Sequence, residues 1–256
     1  MQIHRKQIPA ILLGAVAVLS ATHAYADEET RDVEEFTTIS YSLPFAVDFV
    51  EAGEHYVKLE GDEDTISEIE TEVRGNTLKV YKENSWFDWS DGKVVLTIGY
   101  TELEAITMAG SGDGHAESLE NDEITLKITG SANLEIESLA ADEVYLSIAG
   151  SGNVDIDNAD VDTIESKIAG SGDIAISGRA VAQEISISGS GDHRAPDLKT
   201  QETSASVRGS GDVTVWAESH LSASVVGSGD IEYYGAPEIK ERIMGSGSVV
   251  QLDDER

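Results

Sequence analysis

The chain has 256 residues, with 49 acidic against 17 basic side chains, a formal net charge of −32 and no cysteine. Such a charge disfavours nucleic acid and anionic lipid, which are polyanions, and leaves cationic partners, divalent ions and neutral glycans open. Without cysteine there are no disulfides and no thiol chemistry, so the fold must rest on its own core and hydrogen bonds.

The N-terminus carries the pattern of a secretory signal. Arg5 and Lys6 precede an apolar run from Ile8 to Ala21, and Ala24-Tyr25-Ala26 follows as a small-x-small site. This predicts a signal peptide over residues 1–26, cleaved after Ala26. The run is shorter than the ~20 residues a spanning helix needs, so no membrane span is expected. The segment holds two basic and no acidic residues, so its removal takes the net charge to −32 − 2 = −34.

Residues 27–38 are acidic and unpatterned, and a flexible leader is expected there. Residues 39–109 hold strand-like segments at 39–43, 46–50, 56–60, 78–82 and 93–99. The stretch 64–74 fits either a short helical turn or another strand. This region is expected to form a β-rich cap and the first rungs of a longer stack. Trp86, Phe87 and Trp89 cluster in a polar loop between two of the strands. Such a cluster either packs onto the cap or stands exposed as a platform for a glycan or a partner.

From residue 110 to 250 the chain repeats. A Gly-Ser-Gly-Asp-like turn begins at Gly110, Gly130, Gly150, Gly170, Gly189, Gly209, Gly227 and Gly245, with spacings of 20, 20, 20, 19, 20, 18 and 18. Two residues ahead of each turn stands Met, Ile or Val, and apolar residues alternate with polar ones on both sides. Period-two alternation with β-branched residues and glycine punctuation indicates short strands. One such unit cannot bury its own apolar face, whereas stacked units share a continuous core and hydrogen-bonded ladders. The repeat therefore predicts an all-β parallel solenoid with coils of about 20 residues. Residues 251–256 read as an acidic tail.

In the turn, both glycines are expected to supply positive φ. Serines are expected to pair from coil to coil in a ladder. The Asp or Asn is expected to fold back onto turn amides. A second reading makes Asp173, Asp192, Asp212 and Asp230 a row of divalent-cation sites, although Ca²⁺ needs six to eight oxygen ligands. His115 and His193 follow corners and are expected at the surface. Arg179, Arg194 and Arg208 lie in different coils and could approach one another on one face. There is no H-E-x-x-H, no G-x-S-x-G and no phosphate-binding loop. No catalytic residue and no cofactor are assigned.

The serial GSGD and GSGN turns, the block containing GNTLKVYKENS and VVLTI, and the ending DIEYYGAPEIKERIMGSGSV resemble one bacterial family, the auto-transporter adhesin, head GIN domain proteins. The likeness runs from about Ser40 to Val250. It implies a right-handed β-helix-like solenoid and an exported location, in the periplasm, on the outer-membrane surface or outside the cell. It implies no catalytic residues. The expected function is a non-enzymatic adhesin-like binding or scaffold module for a glycan or surface protein, able to oligomerise through an open solenoid end. The alternatives are a pectate-lyase-like carbohydrate-active enzyme, and an envelope accessory protein with no ligand of its own.

Overall fold

Alternation of period two sends every second side chain to the same side of a strand. When strands stack in parallel and in register, those side chains form columns. The computed structural model describes residues 27–82 and 92–253. It is nearly all β, with stacked parallel coils of about 20 residues forming a solenoid of about 7 turns. Ala26, Trp86, Phe87 and Trp89 lie outside the described residues. Among the described residues no helix is long and apolar enough to cross a membrane.

The elements in chain order are β1 (Asp27–Asp32), β2 (Thr38–Tyr41), β3 (Ala46–Glu51), β4 (Tyr56–Gly61), α1 (Glu63–Ser67), β5 (Ile69–Arg74), β6 (Thr77–Lys82), β7 (Val94–Tyr100), β8 (Ala105–Gly110), β9 (Asp113–Glu120) and β10 (Glu123–Gly130). Then come β11 (Asn133–Gly150), β12 (Asn153–Gly170), β13 (Ile174–Gly189), β14 (His193–Gly209), β15 (Val213–Gly227), β16 (Ile231–Tyr234), β17 (Glu238–Gly245) and β18 (Val249–Gln251). Each of β11 to β15 bends midway, so that one strand supplies two faces of its coil. The core is a set of columns along the axis. Met108, Ile128, Ile148, Ile168, Ile187, Val207, Val225 and Ile243 share one register position on successive coils. All of them except Ile243 are buried.

At the glycine corner the two glycines do different work. Gly170 has φ +140, and a Cβ there would lie 2.1 Å from the Gly150 carbonyl oxygen. Gly172 has no positive φ, yet its Cβ would lie 2.1 Å from the Gly152 oxygen. The expectation that both glycines supply positive φ is thus corrected: the first combines the left-handed backbone with the close approach of the next coil, and the second permits the approach alone. The serine ladder runs through the main chain. The N–H groups of Ser171, Ser190 and Ser210 donate to the oxygens of Gly150, Gly170 and Gly189, each at 2.9 Å.

The N-terminal end departs from simple stacking. β2 pairs in parallel with both β6 and β8, and β3 with both β7 and β9. The first coil in the sequence therefore sits between two later ones. β4, β5 and β1 then close the end by antiparallel pairing, β4 on β7, β5 on β6 and β1 on β4. The segment 64–74 divides into α1 and β5. Asp62 caps α1, its Oδ1 accepting from the Thr65 N–H at 3.0 Å, an Asp in its favoured N-cap role. The flexible leader is also corrected, because residues 27–32 are ordered as β1. Arg31 fastens that strand by donating from Nη1 to the Ile69 oxygen at 2.6 Å and from Nη2 to the Ile66 oxygen at 3.3 Å. Without β1, β4 would be an edge strand with unpaired main-chain groups, and such groups accept a polar partner whatever its side-chain pattern.

Candidate functional site

Each coil turns a second corner away from the glycines, and there the sequence is acidic. Successive coils bring Glu120-Asn121-Asp122, Ala140-Ala141-Asp142 and Asp160-Val161-Asp162 together. With Glu51 and Glu102 they line a groove of about 750 Å³. Seven carboxylates face it, those of Glu51, Glu102, Glu120, Asp122, Asp142, Asp160 and Asp162, while the small Ala140 and Ala141 keep it concave. Asp160, Val161 and Asp162 also belong to a second stretch of about 350 Å³, lined further by Arg179, Val181, Lys199, Gln201 and Glu218. The groove thus runs along the rod and changes character from acidic to mixed.

Arg179 marks the change. Its Nε donates to Asp160 Oδ1 at 2.7 Å, and its Nη2 donates to Asp160 Oδ2. This two-point hydrogen bond, with the guanidinium charge, holds the Asp160 carboxyl below the usual carboxylate range. An acid catalyst of glycoside cleavage needs a carboxyl kept protonated near neutrality, and Asp160 is displaced the other way.

Next to the mixed stretch, Lys199, Trp216 and Tyr234 share one register position on three coils. The Lys199 ammonium lies 5.0 Å from the Trp216 ring centroid. On the other side the Tyr234 ring stacks at 5.8 Å with an interplanar angle of 21°. Both faces of the indole are therefore occupied, and the column braces the coils instead of offering a bare sugar-stacking platform. The sequence reading missed this column. Its signal is weak: one basic and two aromatic residues spaced by 17 and 18 positions, close to the coil length.

The Asp row stands at the glycine corner, apart from the groove. Asp173, Asp192 and Asp212 each turn Oδ1 to the main-chain N–H of the next Asp in the row, at 2.9, 2.9 and 2.8 Å. Asp230 accepts in the same way from Ser248, at 2.7 Å. Asn153 passes the pattern on to Asp173 at 3.0 Å. The expectation that these side chains fold back onto their own turn is corrected, since the partner is one coil away. Parallel in-register stacking places that N–H within reach of the side chain below. Arg194 offsets the repulsion between neighbouring carboxylates, its Nη1 lying 3.1 Å from Asp173 Oδ2 and its Nη2 2.7 Å from Asp192 Oδ2. Among the described residues no three metal-ligating side chains converge.

The three arginines do not meet. Arg179 pairs at the second corner and Arg194 at the glycine corner, while Arg208 Nη1 donates to Ser206 Oγ at 3.1 Å. His115 is half-buried at the surface, with Nε2 3.3 Å from Glu137 Oε1 and Nδ1 3.6 Å from Asp48 Oδ1. His193 reverses the expectation: it is fully buried in a core column. The residue after the glycine-corner Asp points inward, as Ile174, Val213 and Ile231 do in the same column.

The comparisons with known proteins agree with this architecture. The family model described as "Putative auto-transporter adhesin, head GIN domain" matches residues 35–150 and again 125–237. The chain belongs to that family. Its fold is shared by a crystal structure named a "putative lipid binding protein" from Parabacteroides distasonis, at 24% identity and a TM-score of 0.82, covering 90% of this chain and 98% of that one. An adhesin-named structure from Parabacteroides merdae is similar at 19% identity and a TM-score of 0.85, with the same coverage. A further adhesin-named structure from Parabacteroides distasonis is 26% identical with a TM-score of 0.83, covering 88% of this chain and 96% of that one. No curated protein matches the chain.

Proposed function

We propose that this protein is an exported, non-catalytic binding module of the cell envelope, adhesin-like in that it engages a surface glycan or protein along its side. The carrying observation is the groove at the second corner, a concave track of carboxylates along the rod. A regular solenoid repeats the same chemistry at each coil, about 4.8 Å apart, which suits an extended ligand with repeating contacts. The charge selects the ligand: the contacting groups are basic, as in amino sugars or a Lys-rich segment, and polyuronates and nucleic acids are repelled. The signal pattern ending at Ala26 supports export, and the adhesin-named relatives support binding over catalysis.

Calorimetry with glucosamine oligomers and with oligolysine tests the reading. At least one of these ligands is expected to bind, with affinity falling tenfold or more in the Asp142→Asn/Asp162→Asn variant. Equal binding by the variant, or release of an unsaturated uronate from a polyuronate, would overturn it. Recovery of the chain outside the cytoplasm with Asp27 at its N-terminus would establish the export step.

A further inference from the structure

The two ends of the rod differ in finish. At the C-terminal end, β17 pairs only with β15 and β18 only with β16 among the described strands. Ile239 and Ile243 close two core columns yet remain 38% and 39% exposed. Solenoid ends normally carry a cap that covers the last apolar rung, and no described element covers this one. At the N-terminal end, β5 lies on the same face of the coil as β17 and pairs only with β6.

These two edges match in a single register. With β17 laid antiparallel on β5 of a second copy, inward residues meet inward ones when Ile239 is set opposite Val73. On the outer face, Glu238 then meets Arg74, Lys240 meets Glu72, and Arg242 meets Glu70. Three opposite-charge pairs in sequence follow from one alignment, and each opposed pair in a sheet contributes favourably. The one charged inward residue of β17 is Glu241, which continues the column of Ala205 and Ala223. An inward charge on an edge strand blocks most pairings. In this alignment it meets Thr71, whose Oγ1 lies 3.5 Å from Arg31 Nη1, so a hydroxyl and a guanidinium are at hand for the carboxylate. The Ile69 oxygen is already taken by Arg31, so the contact extends from Glu70 to Arg74.

Pairing of β17 with β17 of a second copy fails the same test. Aligning the two inward faces about their centre sets Glu241 against Glu241 and Lys240 against Arg242, and a shift of two residues either way sets Glu241 against an isoleucine and Lys240 or Arg242 against itself. We infer that copies of this chain associate head to tail, β17 of one on β5 of the next. Such a contact is heterologous and generates a linear array of rods. It presents the lateral groove repeatedly along one line, and it stands whether or not the groove binds the ligand proposed above.

Sedimentation of the exported chain over a concentration series tests the inference. The wild type is expected to show a mass rising with concentration. Lys240→Glu/Arg242→Glu places acid against acid, and Glu70→Lys/Glu72→Lys places base against base, so each variant alone is expected to remain monomeric. Mixed one to one, each edge finds an opposite partner, and the rise in mass is expected to return. Circular dichroism confirms that both variants are folded. A monomeric wild type at several hundred micromolar, self-association of either variant at the wild-type level, or no recovery on mixing would each overturn the inference.

Discussion

Asp192 Oδ1 accepts the main-chain N–H of Asp212 at 2.9 Å, across one coil of the solenoid. The ladder needs an oxygen at this position and has no need of a charge. Asp212→Asn keeps the acceptor and removes one of four consecutive carboxylates. It is expected to leave stability unchanged or raise it by about 0.5 kcal/mol, as Asn133 and Asn153 already serve in the same ladder. Asp212→Ala orphans the Asp230 N–H and is expected to cost about 1 kcal/mol. Urea denaturation of the two variants separates them, and equal loss in both would show that the charge itself is needed.

Gly170 and its equivalents set the coil spacing. Gly170→Val combines a β-branched side chain at φ +140 with a Cβ 2.1 Å from a carbonyl oxygen. The expected loss is 3 kcal/mol or more, about the scale of the largest point effects. A thermal midpoint within a few degrees of the wild type would contradict the corner geometry.

His193 gives the fold a pH dependence of its own. Complete burial lowers its pKa from 6.5 to about 4, so the folded protein keeps the ring neutral where the unfolded chain would protonate it. The stability held this way is complete above about pH 6.5 and is lost as pH falls toward 4. A shift of that size corresponds to ~3 kcal/mol. Val154, Ile174, Val213 and Ile231 stand in the same column, so His193→Val matches it in shape, at the cost of the contact that the buried Gln183 Nε2 makes with His193 Nε2 at 3.4 Å. The unfolding free energy of the wild type relative to the variant is expected to fall by about this amount from pH 7 to pH 4. The comparison cancels the effect of protonating the many carboxylates common to both. A constant difference would show that His193 is solvated.

Trp216 is held between Lys199 and Tyr234, so its role is mechanical. Trp216→Ala removes both contacts and is expected to cost about 2 kcal/mol. Affinity of the groove for a basic ligand should remain within about twofold. Loss of binding with no loss of stability would instead make the indole a ligand contact.

Much of the fold was legible in the sequence because a solenoid writes its register into the spacing of its turns. Two residues before each corner glycine is one core position, and the structure places Ile148, Ile168 and Ile187 in line there. What stayed hidden depends on contacts with no period. Nothing in DEETRD announces a strand; β1 exists because β4 needs a neighbour and Arg31 finds the oxygens of Ile66 and Ile69. His193 was misplaced for a related reason. A polar residue after a corner suggests solvent, whereas strand parity, fixed by the aliphatic residues at the same position in other coils, turns it inward. The groove escaped notice because its carboxylates come from five separated stretches of an already acidic chain, and only stacking brings them to one track.

The insertion of β2 and β3 between later coils bears on the order in which the protein is built. Thr37 Oγ1 donates to Glu104 Oε2, 67 residues further on, and β2 has no neighbour on either side until β6 and β8 exist. During synthesis from the N-terminus, the segment that emerges first must wait, with both its edges open, for the strands from β6 to β9. The coils beyond Gly130 face no such delay, since each docks on the one just completed. Contacts distant in sequence close slowly, so locking of the first coil sets the pace of assembly, and the repeats then grow outward from it one turn at a time.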